Sequence, residues 1–159
     1  MIHHISLAAH DPLRVARVLA ELFQGQVVPF PNHPGSYVAV AFDPHGTIVE
    51  VHPHGTGLVP GVEDEGVQHV HNLEYLPYTA THVAISVPVS EAQIREIAAW
   101  EGWRVGRFRR SDFFEVIELW LENQVLIELL PPMLAAQYFD FTQPQELEQY
   151  LAAAASSRN

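Results

Sequence analysis

A shift of 78 residues lays one half of this chain on the other. It carries His4 onto His82, Phe30 onto Phe108, Val38 onto Val116, Glu50 onto Glu128 and Pro53 onto Pro131 without a gap. Composition alone gives about 0.3 His–His and 0.6 Glu–Glu coincidences at such an offset, so the weight rests on where the matches fall. Each half reads as strand, helix, then three strands. In the first, "HISLAA" is β-like and Asp11-Pro12 is a helix start. Leu13, Ala16, Leu19, Leu22 and Phe23 follow at helical spacing, and Gly25 marks the stop. "QVVPF", "SYVAVAF" and "TIVEVH" are then β-rich runs between Pro, Asn, Gly and Asp. In the second, "THVAISV" leads to Ser90 and Gln93, a capping box, and to Ile94, Ile97 and Ala98. Gly102 ends that helix, and "WRVGRF", "FFEVIELWL" and "QVLIELL" are again β-rich.

The fold class this predicts is α+β: two βαβββ modules forming a cup-shaped, partly closed mixed sheet with helices on the outer faces. Residues 1–53 are the first module, 54–79 a connector or lid, 80–132 the second module and 133–159 a C-terminal extension, all within one structural domain. In that extension "TQPQELEQYLAAAA" reads as a helix with Leu147, Tyr150 and Leu151 on one side. The connector is rich in Gly, Pro and acids, the composition of a solvated loop. Its length also suits a lid or a dimer arm.

Strand alternation then sorts the side chains. His4, Ser6 and Ala8 share one face, as do His82, Ala84 and Ser86. The helices should cover the other face, where Val83, Ile85 and Val87 point. Glu50 and Glu128 each interrupt an otherwise apolar last strand, which is unfavourable unless the carboxylate is paired or ligated. Both histidines and both glutamates can therefore look into one concave surface. Taken alone, the strand favours reading His4 as a hydrogen-bonded core histidine, and it is the repeat that turns it toward the cup.

Composition narrows the chemistry. There is no cysteine, and all eight basic residues are arginine, so thiolate and Schiff-base lysine chemistry are excluded. The net charge of −11 argues against nucleic acid as a partner. No apolar run approaches the roughly 20 residues of a membrane span, and no leader pattern opens the chain, so a cytoplasmic protein is expected. Ten histidines and many acids remain, which are metal ligands and acid–base groups.

On these residues the chain resembles the vicinal oxygen chelate superfamily, which includes glyoxalase I, bleomycin-resistance proteins and extradiol dioxygenases. The resemblance covers residues 2–53 and 80–131. By position it implies His4, Glu50, His82 and Glu128 as ligands of one divalent metal ion, with a set like that of glyoxalase I. Two imidazoles and two carboxylates without sulfur suit Zn, Ni, Co, Mn or Fe. A second carboxylate favours Lewis-acid work over oxygen activation. The implied function is a glyoxalase-like metal-dependent lyase or isomerase acting on a small substrate with vicinal oxygens, with Glu128 as the base. The alternatives are a metal-free binding or sequestering protein on the same cup and an Fe(II) dioxygenase. His52 shares the Glu50 face and is a rim residue, a replacement ligand or a substrate contact. Arg107 and Arg109 share a strand face and either hold a substrate anion or lie on a solvated hairpin. A homodimer is expected from the strand edges and the C-terminal apolar face.

Overall fold

The computed structural model describes residues 4–31, 33–59, 62, 68–72, 74–75, 82–110 and 113–143. It contains the two expected modules. The first comprises β1 (His4–Ala9), α1 (Pro12–Phe23), β2 (Gln26–Pro29), β3 (Tyr37–Val40) and β4 (Ile48–Pro53). A hairpin, β5 (Thr56–Val59) and β6 (Gln68–His71), follows. The second module comprises β7 (Val83–Ser86), α2 (Glu91–Glu101), β8 (Val105–Arg110), β9 (Phe114–Leu121) and β10 (Val125–Leu130), and then comes α3 (Pro132–Phe141). Strand order is β1-β4-β3-β2 in one sheet and β7-β10-β9-β8 in the other. Each sheet is mixed, because its first and last strands pair in parallel while the remaining pairs are antiparallel.

Both first helices start and stop by local chemistry. The Asp11 side chain accepts from Arg14 N at 3.0 Å ahead of Pro12. Ser90 and Gln93 form the reciprocal capping box. Gly102 takes the left-handed position after α2. After α1 that position falls on Gln24, not on Gly25. Gly25 is needed for a different reason: a Cβ there would sit 1.8 Å from the carbonyl oxygen of Val40.

The apolar core lies on one side of the strands. Leu7, Ala9, Val49 and Val51 are buried, and Val15, Leu19 and Leu22 of α1 join the same apolar cluster. Ile85, Ile117, Leu119, Ile127 and Leu129 repeat this arrangement with Ile94 and Ala98 of α2. His4 and Ala8 alternate with these residues and are exposed. The face predicted to be open is therefore open at β1.

The modules differ in phase at one strand. β1, β2 and β4 match β7, β8 and β10 at 78 residues. Val38 lies opposite Glu50, however, whereas Glu118 lies opposite Glu128. β3 therefore corresponds to β9 at a shift of 80, and Val38 and Val116 are not equivalent. The turn before β9 is longer by two residues and the turn after it shorter by two, so the last strand returns to register. The tighter second turn places Glu122 and Asn123 at positive φ. Glu122 then reaches back to the first module. Its carboxylate accepts from His10 N at 2.6 Å and Asp11 N at 2.8 Å, just ahead of α1. The predicted helix with Leu147, Tyr150 and Leu151 lies outside the described residues. The extension instead begins with α3, whose Tyr138 and Phe141 pack on Phe114 with ring centroids 4.9 and 5.0 Å away.

Gly25→Ala and Gly102→Ala separate the two uses of glycine. Gly102 has φ +73° with open space around it, so alanine there should lose about 1 kcal/mol to backbone strain. Gly25→Ala must move a β3 carbonyl and should lose about 2–3 kcal/mol. Urea unfolding of both variants checks the order.

Candidate active-site face

Glu50 and Glu128 occupy matching places. Glu50 lies beside Ser6 in the parallel β1–β4 ladder, and Glu128 beside Ala84 in the β7–β10 ladder. Their side chains are only 17% and 12% exposed, and each meets a different environment.

Around Glu50 the neighbours are uncharged. Ser6 Oγ donates to Glu50 Oε2 at 2.8 Å, and His52 Nε2 stands 3.5 Å from the same oxygen. Ser36 Oγ lies 2.8 Å from His52 Nδ1 and 2.8 Å from His33 Nδ1. A carboxylate only accepts, so His52 presents Nε2–H to Glu50. Its Nδ1 then accepts from the Ser36 hydroxyl, which in turn accepts from His33 Nδ1–H. Burial holds both imidazoles below the ordinary histidine value. Glu50 opposes that at His52, and His69 adds to it at both. His69, from β6, stacks on His33 with ring centroids 4.6 Å apart, and Phe30 meets His52 edge-on at 5.4 Å. The connector is thus in part a hairpin that seats His69 over the first module. His52 is 4% exposed, buried beneath these rings.

Around Glu128 the neighbour is a cation. Arg110 Nη2 donates to Glu118 Oε1 at 2.7 Å and to Glu128 Oε1 at 2.6 Å. The two carboxylates, Glu118 foremost, push the guanidinium above the ordinary arginine value.

His4 opens β1 and His82 immediately precedes β7, and both are exposed. His4 and Ile48 line a cleft of about 260 Å³ with Ala84, Ile85 and Ser86 of β7. The first strands of the two modules thus share one cleft, which Asp43 and His45 also line but Glu50 and Glu128 do not. Among the described residues no three His, Asp or Glu side chains converge on a point that could hold a metal ion. In kind the donors fit a divalent ion, with two imidazoles at or just before the first strands and two part-buried carboxylates at matching places in the last strands. At Glu128 that fit requires Arg110 to give way.

Arg107 is on the other face of β8, bound to Glu91 of α2 at 3.0 Å and to Glu115. Arg109 lies opposite Glu115 in the β8–β9 ladder. Sequence reasoning passed over Ser36, His33, Glu118 and the inward position of Arg110. For Arg110 a signal existed: it alternates with Arg107 and Arg109.

No protein-family model matches the chain, and no curated protein matches it. Solved structures do. The fosfomycin resistance protein FosX from Listeria monocytogenes, as a mutant complexed with Mn(II) and 1S,2S-dihydroxypropylphosphonic acid, gives a TM-score of 0.56 at 14% identity. That match covers 94% of this chain and 97% of the other. The monoclinic form of the same protein gives 0.54 at 14% identity over 86% and 94%. This is the vicinal oxygen chelate fold. A glyoxylase/bleomycin resistance protein/dioxygenase domain from Frankia gives 0.50 at 14% identity over 81% and 94%. At these identities what is shared is the vicinal oxygen chelate fold, with its two βαβββ modules. No described helix is long and apolar enough to cross a membrane.

The histidine surroundings generate a pH dependence. His33, His52 and His54 are all held below 6.5, chiefly by burial. As the pH falls through that value the unfolded chain takes up protons that the folded chain refuses, so stability must fall until the folded values are reached. The unfolding midpoint should drop between about pH 7.5 and about pH 5.5. Neither ring nitrogen of His54 has a partner among the described residues, and the ring packs edge-on against Tyr75. His54→Phe should make the slope shallower, measured by thermal unfolding across that range.

Proposed function

We propose that this chain is a glyoxalase-like metal-dependent lyase or isomerase acting on a small substrate with vicinal oxygens. The observation that carries the reading is the pair Glu50 and Glu128. Two carboxylates, each largely covered, interrupt apolar last strands at equal register beside the first strands. In this reading His4, Glu50, His82 and Glu128 hold one divalent ion, which supplies Lewis acidity toward two adjacent oxygens. The FosX complex with Mn(II) and a vicinal diol supports the choice of metal and of substrate class. Glu128 is the base that takes the proton from carbon and returns it, and Glu50 is steadied by Ser6 and His52. Arg107 and Arg109 share one face of β8, and to meet a substrate anion Arg107 would first have to leave Glu91 and Glu115. The chain acts as a homodimer in the cytoplasm.

A second reading is a metal-free binding protein on the same fold. It is favoured by one contact, the internal cation already seated on Glu128.

Metal analysis of the untagged protein separates them. One divalent ion per chain is expected, and its absence after incubation with Mn(II), Ni(II), Zn(II), Co(II) and Fe(II) would leave the second reading. His82→Ala should weaken metal binding by at least about 10–100-fold. Glu128→Gln keeps an oxygen donor and removes the base. It should lower the rate of proton exchange into a 2-oxoaldehyde adduct or a hydroxyketone by about 10²–10⁴-fold while metal largely stays. Normal turnover in Glu128→Gln would remove the base assignment.

A further inference from the structure

The two halves of the site share a carboxylate but not its counter-charge. Glu50 faces Val38 across the β3–β4 ladder, and its polar contacts are Ser6 and His52. Glu128 faces a second carboxylate, Glu118, across the β9–β10 ladder. Like charges directly opposite on a sheet repel. One nitrogen of Arg110 sits between them, and Trp120 Nε1 lies 3.3 Å from the other oxygen of Glu118. The carboxylates are 15% and 12% exposed, so solvent screens this triad only in part. Arg110 itself is 36% exposed, which leaves its long side chain a route to water.

A guanidinium and a divalent cation cannot both sit against Glu128 at bonding distance without strong repulsion. We infer that Arg110 is a positioning residue that competes with the divalent ion for Glu128, holding the carboxylate until the ion displaces it. The inference rests on the metal-dependent reading above and assigns that reading a built-in opponent. The effect is local to the second module, because among the described residues the polar contacts of Glu50 are with Ser6 and His52 and not with an arginine. Removing Arg110 leaves two facing carboxylates with no internal cation, so the ion should bind more tightly. A residue that only maintained the fold would act in the opposite direction, since its loss would loosen the site.

Mn(II) titration of the full chain, followed by calorimetry and by the electron paramagnetic resonance of free Mn(II), tests this. Arg110→Met should bind Mn(II) about fivefold or more tightly than the unaltered protein, the usual scale of coupling between two binding events. Arg110→Lys retains the charge but not the fork, and should tighten binding by less. Arg95→Met removes the same charge from the helix pair with Glu91 and should leave Mn(II) affinity unchanged. Folded Arg110→Met with equal or weaker affinity would overturn the inference. If that variant does not fold, unchanged affinity in Arg110→Lys overturns it. Equal tightening in Arg95→Met would make the effect one of net charge and overturn it too. In each of these outcomes the unaltered protein still binds Mn(II) and the metal-dependent reading stands. If neither the unaltered protein nor any variant binds Mn(II), both fall together.

Discussion

Each module closes on itself by pairing its first strand with its last in parallel. A hairpin cannot make that pairing; it requires a crossover, and here a helix and two further strands lie between. The pairing sets Glu50 beside Ser6 and Glu128 beside Ala84, and it turns the apolar partners of those strands toward the helices. Loss of phase by one residue would bury the carboxylates among Leu and Val and expose the core. The site face and the core are thus two outcomes of one ladder.

Within that common frame the modules handle charge differently. The first surrounds its carboxylate with hydroxyls and imidazoles held neutral by burial, joined through Ser36 into one chain from His33 to Glu50. The second sets two acids against one arginine. A chain with a net charge of −11 and only eight cations thus commits one of them to a part-buried pair of carboxylates.

The strands, helices and facing residues were legible because alternation and helical spacing are local patterns. The capping signals at Asp11 and at Ser90 with Gln93 were legible for the same reason. What escaped was set by contacts between distant segments. Val38 and Val116 coincide in sequence, yet two compensating turns put Glu118 where Val38 would have pointed. The connector looked like loop because Gly, Pro and acids dominate it, and its docking depends on His69 meeting His33. Gly25 looked like a helix stop, while its real constraint is the carbonyl of Val40. Arg110 was overshadowed by Arg107 and Arg109, although alternation alone separates it from them. The partners of Glu128 could not be read in one dimension, since Glu118 and Arg110 reach it only through the ladder.

The Glu122 carboxylate ahead of α1 has a consequence in time. The amides it accepts belong to His10 and Asp11, 112 and 111 residues upstream. Chains emerge N-terminus first at about 5–20 residues per second, so roughly ten seconds of synthesis separate the helix from its clasp. Through that interval the first module relies on Asp11 and on its own core. The finishing contact arrives only when the β9–β10 turn has formed, which makes the second half of the chain the latch that locks the first.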